Sequence, residues 1–521
     1  MGQAYRYHSL SRNSFRAAAC GLQGYKTRDG RPDLTNLEMD LFDVRMKHST
    51  ERLADNEKTS GWHRNILKPA CLPITIIIIF IAMVIMFSLL NEDYVEGFAT
   101  WKEEQQLCLQ QDCRAHLVES IPEGMTYPAT EKRHLSTYEV WLELLQSTQV
   151  SLHATAFYWT LRAKDMLTDD SDAQGTEIYN TLERVGRERQ VLLVQNLGTE
   201  STMQESALLQ RQGLAEVRSM NHTVWFGSGV MHTKMWIVDD AHLYIGSANM
   251  DWRALTQVKE MGFALFNCTC LARDLDKIFQ VYWHMGYPGT SLPKVWPPKY
   301  TTFFNFSNPA RLQLNGVPSE VYFSSSPKQF CSRNRQSDIS ALLEVINSAK
   351  RFVNVAVMDY MPVVYYAKPS RYWGDIDDAL RAAAYDRKVS VKLLISKWNH
   401  TKLMMYGFLH SLSAFGASLG PDMVQIKLFT IPSYTERQSK IPFSRVNHNK
   451  YVVTENTAYI GTSNFVGDYF LTTAGAAVVI RQPMELIHGN RTQESIVAQL
   501  QDVFQRDWNS SYASYMNTNF Q

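Results

Sequence analysis

Net charge is nearly absent from this sequence. Fifty-two Lys and Arg balance 51 Asp and Glu over 521 residues, leaving a formal charge of +1. A bulk basic surface for duplex DNA is therefore excluded, and an anionic substrate must be met by a local cluster. Cysteine is scarce, at seven residues, so any disulfides are a few staples. No strong metal-ligand cluster occurs, and neither a metal nor another cofactor is expected. Charge is also missing from one long stretch, Leu72 to Leu90, which runs 19 residues without Asp, Glu, Lys or Arg. What remains, 45% hydrophobic and 20% charged, suits a globular protein with sizeable cores and room for two lobes.

The uncharged stretch is long enough to span a bilayer. It starts too far from the N-terminus for an ordinary signal peptide. His63, Arg64 and Lys68 precede it, and Glu92, Asp93 and Glu96 follow. The positive flank stays cytosolic, so the reading is a type II single-pass protein. Asn221, Asn267, Asn305, Asn399, Asn490 and Asn509 each open an Asn-x-Ser/Thr triplet, and all lie beyond the span. Cys20 and Cys71 fall before it. Cys71, at its edge, is a candidate for palmitoylation. Cys108, Cys113, Cys268, Cys270 and Cys331 fall after it, where disulfides form. Two close pairs suggest two bridges. Cys108–Cys270 with Cys113–Cys268 is the preferred pairing, although sequence leaves the connectivity open. A zinc site from these four is disfavoured by an oxidising compartment. Tyr7-His8-Ser9-Leu10 has the form of a tyrosine-based sorting signal, a pattern common by chance. Arg6 excludes the myristoylation suggested by Met1-Gly2.

The expected order is a largely disordered cytosolic tail (1–71), a transmembrane helix (72–90), a stem (91–133), a first lobe (134–290), a linker (291–334) and a second lobe (335–521). The lobes repeat one another. Val150–Tyr158 resembles Phe352–Tyr360, and Arg189–Gln195 resembles Val389–Ile395, all reading as buried strands. Helical patterns lie at Glu177–Arg187 and Ile376–Tyr385. Amphipathic helices at Leu271–Trp283 and Ile496–Trp508 close each repeat. The fold class is α/β, two pseudo-symmetric sandwich lobes.

Each repeat carries the same signature. The first reads His232-x-Lys234, then Asp239, then Gly246-Ser247-Ala248-Asn249. The second reads His448-x-Lys450, then Glu455, then Gly461-Thr462-Ser463-Asn464, 216 residues on. Period-two alternation puts His and Lys of each copy on one face. Asp239-Asp240 and Glu455-Asn456 read as turns, and their acids could orient the imidazoles. Ser247, Asn249, Thr462 and Asn464 are candidate phosphate-binding groups. Two imidazoles and two ammonium groups suit a phosphodiester: the lysines neutralise phosphoryl oxygens, one histidine attacks phosphorus, and the other handles the proton. Phe157, Tyr158, Trp159 and Tyr360 end the repeated strands and could stack bases, though ordinary packing explains aromatics there as well.

HxKxxxxD…GSxN, twice per chain, resembles the phospholipase D superfamily. The segments LVESIPEG, MHTKMWIVDDAHLYIGSANMDWRALTQVKEMG and RVNHNKYVVTENTAYIGTSNF look like its type II membrane branch, which contains family members three and four. The likeness runs over roughly residues 108 to 515. Phe465 stands where that branch commonly has Trp. The resemblance implies a lysosomal 5′→3′ exonuclease on single-stranded DNA and RNA, acting at acidic pH. Its products would be nucleoside 3′-monophosphates, released from a 5′-hydroxyl end through a phosphohistidine. It implies His232 as nucleophile, His448 as general acid, and a role in limiting nucleic-acid sensing by endosomal Toll-like receptors. Two alternatives remain: a lipid phosphodiesterase or transphosphatidylase making bis(monoacylglycero)phosphate from lysophosphatidylglycerol-type lipids, and a non-enzymatic membrane glycoprotein. The expected partners are thus single-stranded nucleic acid, a membrane, such lipids and a second copy of the chain.

Overall fold

The computed structural model describes residues 76–81, 83, 101–162, 170–483 and 495–516. The chain divides into two compact units, Met1–Tyr94 and Val95–Gln521. Within the first, residues 76–81 and 83 are helical and exposed. The cytosolic tail and the rest of the expected span lie outside the described residues. Among the described residues, no helix is long and apolar enough to cross a membrane.

The second unit contains two sheets of matching order. In the first, Glu216–Met220, Gln190–Asn196 and Ser151–Ala156 run parallel. Met235–Val238, His242–Gly246, Glu260–Phe266 and Asp112–Ser120 then follow in antiparallel pairs. In the second sheet the corresponding strands are Val424–Phe429, Ser390–Ser396, Phe352–Val357, Lys450–Thr454, Thr457–Gly461, Gly475–Arg481 and Val317–Ser326. The inner parallel strands Gln190–Asn196 and Phe352–Val357 are buried over most of their length, and their largely apolar sequences are legible as strands. The sheets pack through His242–Gly246 and Glu260–Phe266 of one and Thr457–Gly461 and Gly475–Arg481 of the other.

This order redraws two of the expected boundaries. Asp112–Ser120, placed in the stem, is the seventh strand of the first sheet. Val317–Ser326, placed in the linker, holds the equivalent position in the second. Each seventh strand pairs with a partner far away in sequence, so no local signal ties it to its lobe. Disulfides Cys108–Cys270 and Cys113–Cys268 fasten the N-terminal end of this region to the helix that follows the sixth strand. Cys331 is unpaired, and its thiol donates to the Ser325 carbonyl at 3.2 Å.

Helices cover the outer faces. Thr137–Ser147 begins at a capping box in which Ser136 and Glu139 satisfy each other's backbone N–H groups. Its Trp141 stacks on Trp236 of the sheet, centroids 4.9 Å apart. Ala173–Glu188 and Asp375–Asp386 are the two expected central helices. Thr269–Met285 and Ile496–Asn509 close the repeats. The second of these also packs on Asp112–Ser120. Beneath it lies a buried ionic group: Arg506 donates to Glu119 at 2.7 and 2.8 Å, and Lys259 sits 3.3 Å from Glu119 and 3.1 Å from Asp507.

Candidate active site

Both histidines stand on short extended lead-ins just before their strands, which start at Met235 and Lys450. The lead-ins are not part of the regular ladder because each bonds across to the opposite repeat. His232 N–H donates to the Ala474 carbonyl at 2.9 Å, and Ala474 N–H to the Val230 carbonyl at 2.9 Å. His448 N–H donates to the Lys259 carbonyl at 2.8 Å, and Lys259 N–H to the Val446 carbonyl at 3.0 Å.

The side chains cross over in the same way. His232 Nδ1 lies 2.8 Å from the Thr462 carbonyl of the second repeat. A carbonyl only accepts, so Nδ1 carries hydrogen and Nε2 keeps its lone pair. Burial lowers the pKa of His232 well below its ordinary 6.5, and the charges of Lys234, Lys450 and His448 lower it further. Both effects favour the neutral imidazole, the form that can attack. His448 Nδ1 lies 2.9 and 3.0 Å from the carboxylate oxygens of Glu260, in the first repeat. Burial, then Lys450 and Lys234, pull the pKa of His448 down. Burial pushes Glu260 up to about 8, against the pull of Lys450 and a Ser247 hydrogen bond. Together these forces leave one proton shared by the pair, a reserve that His232 lacks.

Glu260 lies outside both repeated signatures of the sequence. It heads a strand that is otherwise wholly apolar, and that lone charge is the signal that could have exposed it. Its counterpart in the second repeat is Gly475, matched through the pairs Gly246↔Gly262 and Gly461↔Ala477. A Cβ at Gly475 would lie 2.4 Å from Ser463 Oγ and 2.8 Å from Ser326 Oγ. No side chain fits there.

Lys234 and Lys450 are buried, and each donates to the carbonyl of its own histidine, at 2.5 and 2.7 Å. Burial lowers the pKa of both, with that of Lys450 brought to about 7 while Glu260 and Asp359 pull the other way. Neither ammonium forms an ion pair among the described residues. A bound phosphoryl group would supply the missing counter-charge.

Other expectations need correction. Asp239 accepts from the backbone N–H groups of Gln149, Val150 and Ser151 at 2.7 to 2.8 Å. Glu455 likewise accepts from Lys350 and Arg351 at 2.8 and 3.2 Å. Both acids tie the hairpin to the start of a neighbouring strand and orient neither imidazole, because they sit at the far end of strands whose other end carries the histidines. Ser247 and Thr462 do not line the cleft. Ser247 Oγ donates to Glu260 at 2.5 Å, and Thr462 Oγ1 accepts from Ala476 N–H at 3.1 Å. Asn249 and Asn464 do line the cleft, with their amides against Tyr158 OH at 3.4 Å and Asp359 at 3.2 Å. Tyr158 faces the cleft too, whereas Trp159 and Tyr360 are core residues unavailable to bases. Tyr360 OH donates to Asp377 at 2.5 Å.

The cleft has a volume of about 610 Å³ and holds His232, His448, Glu260, Asn249 and Asn464 together. Replacing Glu260 by glutamine keeps an acceptor for Nδ1 but removes the shared proton. We expect kcat to fall roughly a hundredfold or more. The alkaline limb of the pH–kcat profile should move to lower pH, because burial and the lysines then act on His448 alone. An unchanged profile would exclude this role.

Two α/β repeats that each bring a histidine to one cleft, with a buried lysine bonded to that histidine's own carbonyl, define a bilobal acid–base site suited to phosphodiesters. The chain belongs to the phospholipase D family, in its PLD3/4 branch: the PLD3/4, PLD-like domain matches residues 129–434. It is 43% identical to 5'-3' exonuclease PLD3 of Xenopus laevis, over 78% of this chain and 82% of the relative. It is 42% identical to 5'-3' exonuclease PLD3 of Homo sapiens, over 78% and 81%. It is 41% identical to the Caenorhabditis elegans protein called probable phospholipase D F09G2.8, over 94% and 88%.

Proposed function

We propose that the protein is a 5′→3′ exonuclease that removes nucleoside 3′-monophosphates from single-stranded DNA and RNA. One observation carries the chemistry: each imidazole is held by the opposite repeat, His232 by Thr462 and His448 by Glu260. Neither half forms a site alone, and the two histidines are unequal. The direction of attack rests on the relatives named as 5'-3' exonucleases.

The reaction proceeds in two displacements. His232 Nε2 attacks phosphorus, the bond from phosphorus to the 5′-oxygen of the next nucleoside breaks, and His448 gives that oxygen its proton. The product remaining on the enzyme is a phosphohistidine bearing the first nucleoside. His448 then takes a proton from water, the hydroxide oxygen bonds to phosphorus, and the P–N bond breaks. Lys234 and Lys450 offset the charge of the phosphoryl oxygens in both steps.

The test gives the purified protein, at acidic pH, a 5′-hydroxyl oligonucleotide and its 5′-phosphorylated twin. Stepwise loss of the first and protection of the second is expected. An enzyme inert on both would sink the nuclease reading. A second reading, transfer chemistry on a lipid phosphodiester, is favoured by the exposed Leu403 and Met404, which follow the cleft residue Lys402. Activity on phosphatidylglycerol vesicles without activity on oligonucleotides would select it.

The same reading assigns the setting. Residues 72–90 anchor the chain in a membrane, the catalytic unit faces the lumen of endosomes and lysosomes, and the activity limits nucleic-acid sensing there. Disulfides in the catalytic unit support an oxidising lumen. Of the sequons, Asn267, Asn399 and Asn509 are exposed and open to glycosylation. The Asn305 side chain is occupied by the backbone N–H groups of Ser307 and Asn308, both at 3.0 Å. Asn221 is half-buried, and Asn490 lies outside the described residues.

A further inference from the structure

We propose that Trp398, His400 and Phe443 form a stacking platform for the second nucleobase of the strand, the one on the leaving side of the scissile phosphate. The proposal rests on the exonuclease reading and names the subsite that reading lacks, since Trp159 and Tyr360 are buried.

All three rings line the same cleft as the two catalytic histidines. The His400 and Phe443 rings stack, centroids 5.0 Å apart and planes 20° apart. Trp398 meets His400 edge-on, at 4.7 Å and 65°. Phe443 is 63% exposed, so one side of the stack stays open to solvent. Its backbone is also in the left-handed region, φ +57, which is costly for a bulky L-residue. An exposed aromatic gains too little from burial to offset that strain. A contact made only with ligand accounts for both the strain and the exposure.

The platform is rigid. Arg445 pins the loop of Phe443 from below. Its Nε donates to the Pro432 carbonyl at 3.0 Å, and its guanidinium donates to the Glu123 carbonyl at 3.1 Å. Ser444 Oγ donates to the Ile441 carbonyl at 2.7 Å. On the other side, Trp398 N–H donates to Thr401 Oγ1 at 2.9 Å and closes the turn that carries His400. Lys402, one step further, lines the cleft where a following phosphate would pass.

Position assigns the nucleotide. The two loops converge at His448: Asn447 N–H donates to Ser396 Oγ at 3.2 Å, and these residues stand next to His448 and two before Trp398. His448 gives its proton to the 5′-oxygen of the departing strand. The base nearest this flank is therefore the first base of that strand. Stacking on an aromatic face is indifferent to base identity, which suits an enzyme that must process every sequence.

The experiment compares 5′-hydroxyl oligonucleotides that are intact, abasic at the second position, or abasic at the first. It uses the wild-type chain, Phe443→Ala, His400→Ala and Phe443→Tyr. An abasic second position should lower wild-type kcat/KM about tenfold, mostly through KM. Phe443→Ala and His400→Ala should lose about as much on the intact strand and become indifferent to the second base, and Phe443→Tyr should restore the preference. Wild-type activity of Phe443→Ala on the intact strand would overturn the platform. So would an equal loss on intact and second-position abasic strands. Sensitivity of the wild type to the first base alone would overturn the assignment of side. Cleavage of no strand by the wild type would overturn the nuclease reading and the platform with it.

Discussion

Replacing His232 by alanine is expected to lower kcat/KM on a 5′-hydroxyl oligonucleotide by at least about a thousandfold, with no change in fold. Among the described residues the side chain makes one hydrogen bond, to the Thr462 carbonyl, so little stability is at stake, while the atom that attacks phosphorus is lost. His448→Ala should be as damaging on the same strand but for a different reason, and the leaving group separates the two. On a nucleoside 3′-(p-nitrophenyl phosphate), nitrophenolate departs without a proton. His448→Ala should then still release one equivalent of nitrophenolate in a burst and accumulate the phosphohistidine. His232→Ala should show no burst. Bursts of equal size in the two variants would mean the roles are not divided as proposed.

Glu119→Ala is expected to cost about 3–5 kcal/mol of stability, read from denaturant midpoints, because it leaves two buried cations, Lys259 and Arg506, sharing the single carboxylate of Asp507. By contrast, removing Glu320 from its partly exposed pair with Arg311, at 3.2 Å, should cost under about 1 kcal/mol. The acid dependence has a definite sign. Burial alone would raise the pKa of Glu119, but Lys259 and Arg506 outweigh it and lower it from 4.5 to about 2. A carboxylate whose pKa is lower in the folded state stabilises the fold above its unfolded value, and the effect fades as pH falls through the folded one. The contribution of Glu119 is thus present at pH 5 and lost between about 4.5 and 2. A wild-type stability that already declines between pH 7 and 5 because of this group would contradict the arrangement.

The four inner parallel strands, four of the helices and the two His-x-Lys pairs are legible in the sequence because each is a local pattern, whereas the outer strands Glu216–Met220 and Val424–Phe429 carry too many polar residues to stand out. Phe352–Val357 is a short, largely apolar run that Ser151–Ala156 echoes at the same place in the first repeat, and the histidines and lysines sit at fixed short spacing. The preferred disulfide pairing is the one the structure shows. What stayed hidden depends on long-range pairing. Asp112–Ser120 reads as a stem until its partner Glu260–Phe266 is known. Glu260 is 13 residues from Ser247, and its imidazole belongs to the other repeat. Nearness in sequence suggests Asp239 and Glu455 as orienting groups, yet the strands between carry them away from the imidazoles. Trp159 and Tyr158 are adjacent, and only the fold sends one inward and the other into the cleft.

The exchange of Glu260 for Gly475 has a consequence for how a duplicated enzyme divides its labour. Two copies of the first repeat, assembled face to face, would set a carboxylate behind both imidazoles. Two copies of the second would set one behind neither. Only the unlike pair yields one histidine with a proton in reserve and one without. The chain has therefore traded the interchangeability of its halves for a fixed order of events, and neither half can take the other's turn.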